Sequence, residues 1–507
     1  MGVLARGTGT DIMHATRTAS SRWAEYIGRL STKDLPGQVE HMARLCIMDW
    51  IGCAVAGSAR PGTIILRDVA TRGGSTGNSS LIGGGLAADA AVAALHNGYA
   101  SHVLEYDDTH PSAFSHISSP VLAAAFAVAE ERDLTLEELV LAFVAGYETA
   151  ARFGIALGGR MFQDFHVHPT GYLGYLGSAV AAGKLLNLSD TEMEMALAIA
   201  GLQAGGLLEG VATMSEGLCA AHSSAGGLLA ARLASAGFQG PTTIIDGAAG
   251  IFAAFGVPRE LDVLADDRFE LLNNEFKMYP SCGFTHPVLD AVLELRNELP
   301  PFARASDISV TVRLWTPAAD LVDRATPVSA SEAQFSAQFC VAVALIDGAA
   351  GPLQFTDERT QDPGVLAMIS AVTIERDDTM NRHQAHVSIS SGTSKRERFV
   401  TNEGREPDEQ GLIQKFVTTT REHYGPSDVD EIAKLLLTLD NYKVSDLLLP
   451  IRRSPRTGEG GKTWCQVTLP GPEMGIAAQP SRPSVDIPNM QSEGSAMPAD
   501  PSLRIPT

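Results

Sequence analysis

The sequence predicts a mainly α-helical protein, a large helical domain into which an α+β unit is inserted. Two observations carry this. Apolar residues recur with helical spacing from about residue 20 to 270 and again after about 405, whereas between about 305 and 400 short stretches alternate as strands do. The boundaries drawn from this are 20–270 and 401–453 for the two helical parts, 271–400 for the α+β unit, and 454–507 for a disordered tail.

Taken in order, the first helical part announces its helices by their starts. "LTLEELVLAFVAGYETAARFG" opens with Thr135 and Glu138 in capping-box spacing, and "LSDTEMEMALAIAGLQAGG" repeats the device with Ser189 and Glu192. Alanine, glycine and leucine dominate these runs, which lets helices approach closely. The glycine-rich "RGGSTGNSSLIGGG" lacks a strand-then-helix context and reads as a loop, not a phosphate cradle. In the α+β unit, "ISVTVRL" and "AVTIERDD" read as strands and "HVSISSGTSKRERFV" as a hairpin turning at Ser391–Ser394, with the helical "EAQFSAQFCVAVALIDG" between them. Helices return in "DEQGLIQKFVTTTREHYG" and "DVDEIAKLLLTL". After Ser454 proline, glycine and serine accumulate without periodicity, a composition that cannot bury enough apolar area to stay ordered.

Composition narrows the function. The chain has 507 residues, 45% of them hydrophobic, as a globular soluble protein does. Its net charge of −21 repels nucleic acid, and no apolar run is long and unbroken enough to span a bilayer. Six cysteines without a CxxC pair point to a reducing compartment, with Cys46 and Cys53 read as core residues on one helix face. The amino terminus has no secretory apolar core, so the location expected is cytoplasmic, with a mitochondrial one as alternative.

Four segments gather titratable groups. "HNGYASHVLEYDDTHPSAFSH" (96–116) holds four of the 13 histidines together with Glu105, Asp107 and Asp108. Its helix pattern cannot pass Pro111, so Asp108, Thr109 and His110 fall in a loop, and His116 precedes the next helix. On residues alone this is a metal site, an acid–base site or a capped polar turn. In "DFHVHPTGYLGYLGSAV", His166 and His168 share one face if the segment is extended, which suits metal chelation; His168-Pro169 also reads as a helix lead-in that turns an imidazole into a pocket. "TMSEGLCAAHSSAGG" is a small-residue helix entrance carrying Glu216 and His222. "FKMYPSCGFTHPVLDAVLELR" places Lys277 before a turn and His286 at a helix start.

Together and in this order, "LEYDDTH…H", "HPTGYLGYLGSAVAAGKLLNLS", "FKMYPSCGFTHPVLDA" and "SEAQFSAQFCVAVALIDG" resemble the MmgE/PrpD family over about residues 25–450. That family includes 2-methylcitrate dehydratases, cis-aconitate decarboxylases and an iminodisuccinate epimerase. The resemblance implies a helical domain built from both chain ends with an α+β lid, usually a homodimer. It also implies work without metal or organic cofactor on a small polycarboxylate, in a cleft under the lid. Matched residue by residue, it carries over Asp108, Thr109, His116, His168 and Lys277.

The departures are informative. Where the family often has Met-Thr-Lys-Pro-Leu-His, this chain reads Met214-Ser215-Glu216-Gly217-Leu218-Cys219. Gly283 replaces a common arginine, Phe339 a tyrosine, and Glu105 an aspartate. A glutamate in place of a lysine inverts a charge where an anion should bind. The expectation is therefore a hydro-lyase for a 2-methylcitrate- or alkylcitrate-type acid, of the kind handled in secondary metabolism. His116 and His168 would be the acid–base pair and Lys277 the carboxylate holder. Asp108 would orient a histidine or accept a hydrogen bond from the leaving group, and Thr109, Glu105, Glu216 and His286 would contact substrate. The alternatives are a cis-aconitate-type decarboxylase or epimerase using the same proton-transfer groups, and a degenerate member with a binding role.

Overall fold

The computed structural model describes residues 17–452, apart from 158, 260–267, 300–304, 403–407, 422 and 438–441. The tail expected after Ser454, and Cys465 with it, lie outside the described residues. Within them the protein is mainly helical, with two small sheets.

The larger core is helix on helix. It runs from Trp23 to Leu271 and is joined by Phe416, Ile432, Leu436 and Leu448, so helices from both halves of the sequence share it. The helix Leu136–Leu157 is largely buried in it. By length and composition it is apolar enough to cross a membrane, yet it is buried in the bundle, where Glu148 and Arg152 pair at 3.0 Å. Its packing on the helix Pro169–Leu185 depends on two glycines: a β-carbon on Gly146 would lie 2.5 Å from the Gly177 carbonyl oxygen. Both expected capping boxes are present, Thr135 with Glu138 and Ser189 with Glu192. They satisfy amide donors that the first helical turn leaves open.

The glycine-rich segment expected to be a loop supplies the first strand and the turn of a small hairpin, β1 (Ser79–Leu81) with β2 (Leu86–Ala88). Tertiary contacts make it: Ser80 N–H donates to buried Glu130 and Ile82 N–H to Asn97, partners the local sequence does not reveal.

The second core gathers residues from Cys282 to Ile389 together with Ala212, and is sheet on helix. β3 (Ile308–Leu314) pairs in parallel with β4 (Val372–Arg376) and antiparallel with β5 (Gln384–Ser391), which continues into β6 (Ser394–Thr401). The order β4-β3-β5-β6 leaves a long crossover between β3 and β4, as a parallel pair requires, and the buried helix Ala337–Asp347 occupies it. Val310, Val312, Val387 and Ile389 point into this core from alternate positions. The hairpin turns at Ser391–Ser394 as expected, with Gly392 at φ +58° supplying the left-handed residue.

Candidate active site

A cavity of about 530 Å³ lies where the loop after the helix Ala90–His102 meets the start of the helix Pro169–Leu185, the 274–286 segment and the 377–383 loop. The loop arises because the helix stops at His102 and the next begins only at Ser118. Glu105 holds it in a left-handed conformation (φ +50°), costly for a residue with a β-carbon and a mark of functional loops. Thr109 and Glu275 then exchange two backbone hydrogen bonds of 2.9 and 2.8 Å, fastening this loop to the segment that carries Lys277. Lys277 Nζ returns to Glu105 Oε2 at 2.7 Å, and both are buried.

The histidines meet here. His116 faces Asp107 through Nδ1 (3.2 Å) and Glu105 through Nε2 (3.8 Å). His102 lies behind it, ring centroids 4.7 Å apart, with Nδ1 3.0 Å from Asp107. His168 caps the helix Pro169–Leu185, where Pro169 fits the first helical position. Its ring centroid is 6.3 Å from that of His102, and its Nε2 is 3.9 Å from Glu216 Oε1. The other Glu216 oxygen accepts the Ala212 amide at 2.8 Å, so this carboxylate is both a loop cap and a cavity wall.

Electrostatics divides these groups. Burial opposes charge on His102, but Asp107 and Glu105 outweigh it and raise its pKa to about 9. Burial works against the Glu105 carboxylate too; Lys277, His116 and His102 prevail and hold it at about 2. Asp107, despite burial, is kept well below the ordinary range by His116 and His102. A raised histidine stabilises the fold fully below its ordinary value of 6.5 and ceases to as pH passes about 9. Thermal midpoints should therefore fall across that interval, and His102→Asn should flatten the fall. An equal slope in both proteins would remove His102 as its cause.

The cavity wall includes Glu105, Thr109, His116, His168, Glu216, Lys277 and His286. Asp108 is a correction: it lies behind the wall, accepting from Ser118 Oγ at 2.5 Å and Asn274 Nδ2 at 3.0 Å, with Tyr147 bracing Asn274 at 2.7 Å. Burial and nearby Asp49 push its carboxyl up to about 7. It positions the loop and is not at hand for a leaving group. His286 reaches the cavity, but its Nε2 faces the carbonyls of Tyr279 (3.1 Å) and Ser281 (3.3 Å), and burial drives its pKa down to about 3. It stays neutral. His166 does not join His168, because its φ of +52° breaks the extended geometry a shared face needs and leaves it exposed.

Two other sets bring donor atoms within 4.8 Å of one another and could hold a divalent ion: His102, Asp107 and His116, and His102, His168 and Glu216. The Lys277 ammonium already neutralises Glu105 beside them. His102 and Asp107 were visible in the opening motif but unassigned. Their pairing across a helix end was the missed signal. Arg382, from the 377–383 loop, and Lys415 behind the wall belong to no motif.

Residues 21–264 match the MmgE/PrpD N-terminal domain and residues 279–441 the MmgE/PrpD C-terminal domain. The chain belongs to the MmgE/PrpD family. It is 26% identical to a cis-aconitate decarboxylase of Aspergillus terreus, over 87% of this chain and 97% of that one. It is 30% identical to the human cis-aconitate decarboxylase, over 72% and 80% respectively. With a cis-aconitate decarboxylase-like protein of Aspergillus oryzae it shares 27% identity, over 69% and 77%.

Proposed function

We propose that this chain is a cofactor-independent lyase for a polycarboxylic acid bearing an apolar arm, dehydrating a 2-methylcitrate- or alkylcitrate-type substrate. One observation carries the choice of substrate. Glu216 stands at the cavity wall beside His168, while a β-carbon at Gly283, on the same wall, would meet nothing within 4 Å. An anion where the family pattern that this sequence resembles often has a lysine, next to open space, suits a neutral or apolar group better than one more carboxylate.

Dehydration moves two protons. His168 takes the proton α to a carboxylate, the C–O bond breaks, and the hydroxyl leaves as water with a proton from His116. The ring facing both Asp107 and Glu105 is the one suited to carry that proton. Lys277 turns from Glu105 toward the substrate carboxylate whose charge grows as the α-proton departs. Thr109, on the wall beside them, hydrogen-bonds substrate.

The names of the relatives favour a second reading, decarboxylation of a cis-aconitate-type acid. That reaction needs a proton delivered to carbon as carbon dioxide leaves, and His116 would deliver it. Incubation with 2-alkylcitrates of graded chain length, followed by NMR for the alkene, tests dehydration. Carbon dioxide release from cis-aconitate tests the other. Neither product from the folded protein would leave a binding role standing.

Glu216→Lys supplies a further test. It should raise kcat/KM for cis-aconitate or 2-methylcitrate relative to a long-chain alkylcitrate by on the order of tenfold, since selectivity is a difference in transition-state binding. An unchanged ratio would take Glu216 out of substrate selection and the argument for an apolar arm with it.

A further inference from the structure

We infer that Arg382 forms a carboxylate-binding subsite on the sheet-bearing side of the cavity. It lines the same cavity as Lys277 and rests on the polycarboxylate reading above.

Arg382 comes from the loop between β4 and β5, far in sequence from every motif, yet it lines the same cavity as His116, His168 and Lys277. Its guanidinium carbon is 4.6 Å from the ring centroid of Phe114 and 5.6 Å from that of Phe284. Two aromatic faces hold the guanidinium in place without using its donors. Phe114 itself is kept in a left-handed conformation (φ +53°), so this arrangement is maintained against a backbone preference.

The donors are barely used. Among the described residues Arg382 makes one hydrogen bond, from a terminal nitrogen to the Pro111 carbonyl at 2.6 Å, and no ion pair. A guanidinium has five N–H donors in a rigid fork, matched to both oxygens of a carboxylate. The other fixed cation on the wall, Lys277, is already paired with Glu105 at 2.7 Å. Glu275 lies in the field of Arg382, but burial pushes its carboxyl up and weakens it as a competitor. The adjoining position 283 is a glycine, so space in front of the Phe284 turn stays open. A partly buried, stacked, under-used fork on a cavity wall is a recognition element for a planar anion. The matching substrate class is a dicarboxylate or higher, with one carboxylate at Lys277 and a second at Arg382.

The test is binding without chemistry, by calorimetry on the full chain. Hexylsuccinate is the probe, having two carboxylates, an apolar arm and no hydroxyl or double bond to react; octanoate is its one-carboxylate comparison. Wild type should bind hexylsuccinate more tightly than octanoate. Arg382→Gln should weaken hexylsuccinate on the order of 10- to 100-fold, the range for a lost charged hydrogen bond, and erase the preference. Arg382→Lys keeps a charge and a donor for Pro111 but not the fork, so it should fall between them. That variant carries the test if the glutamine form does not fold. Wild-type binding with an unchanged preference in the variants overturns the subsite alone. Wild type that binds neither probe overturns the polycarboxylate reading and the subsite together.

Discussion

His168→Ala loses at least about two decades of kcat, the usual cost of a missing general acid or base, while the fold stays intact. The structural part follows from its surroundings. His168 lies at the first turn of the helix Pro169–Leu185 but makes no side-chain cap bond there, so the helix start keeps its hydrogen bonds without the imidazole. The carboxylate beside it, Glu216, remains anchored on the Ala212 amide. Only the catalytic step should notice. His166→Ala is the internal control, since that side chain is exposed and away from the cavity wall. If His168→Ala retains near-wild-type kcat, the imidazole is a wall and not a proton carrier, and the roles of His116 and His168 must be redrawn. The denaturation midpoint of each variant separates this from unfolding.

Lys415→Met loses about 3–5 kcal/mol of unfolding free energy, the range for breaking one half of a buried ion pair. Its ammonium lies 2.6 Å from Asp49 Oδ1, both side chains almost wholly buried, and 3.9 Å from the ring centroid of Tyr106. It also donates to the carbonyls of Tyr106 (2.5 Å) and Lys277 (2.8 Å), tying the helix Glu409–Thr420 to both segments that build the site. Without the cation, Asp49 is left as a buried charge or must take up a proton. Burial already raises its pKa against the pull of Lys415. Adding Asp49→Asn should recover a large part of the loss, because removing both charges costs less than stranding one. Turnover should stay low in the double variant, since the two carbonyls remain unheld. Urea titrations give the stability arm and kcat the functional one. A single-variant loss under about 1 kcal/mol would show that the pair is structurally idle.

The two predictions draw on different levels of information. The local sequence places His168 before a proline at a helix start, and the resemblance to the family is what gives it a place in the site. Glu105, Thr109, His116 and Lys277 also stand beside turns or helix boundaries, but it is the resemblance to the family, and not a short window, that singles them out. Asp108 shows the limit. It stands in the same motif, yet neither of the two adjacent aspartates lines the cavity: Asp107 faces His102 and His116, and Asp108 ends up on Ser118 and Asn274.

What the sequence by itself determined is local. Capping boxes, strand alternation and the 391–394 turn depend on groups within a few residues of one another, and hydrophobic period alone separates the helical part from the sheet. Only the tertiary structure decided what stands across the cavity. Pairs such as Lys277 with Glu105, Lys415 with Asp49 and Arg382 with Phe114 join positions far apart in the chain. No periodicity records such pairs, since period reports which face is buried and not which buried face it meets. Charged side chains in them are read from sequence as solvated surface. Their burial becomes favourable only when the fold supplies the opposite charge, the carbonyl or the aromatic face that replaces water.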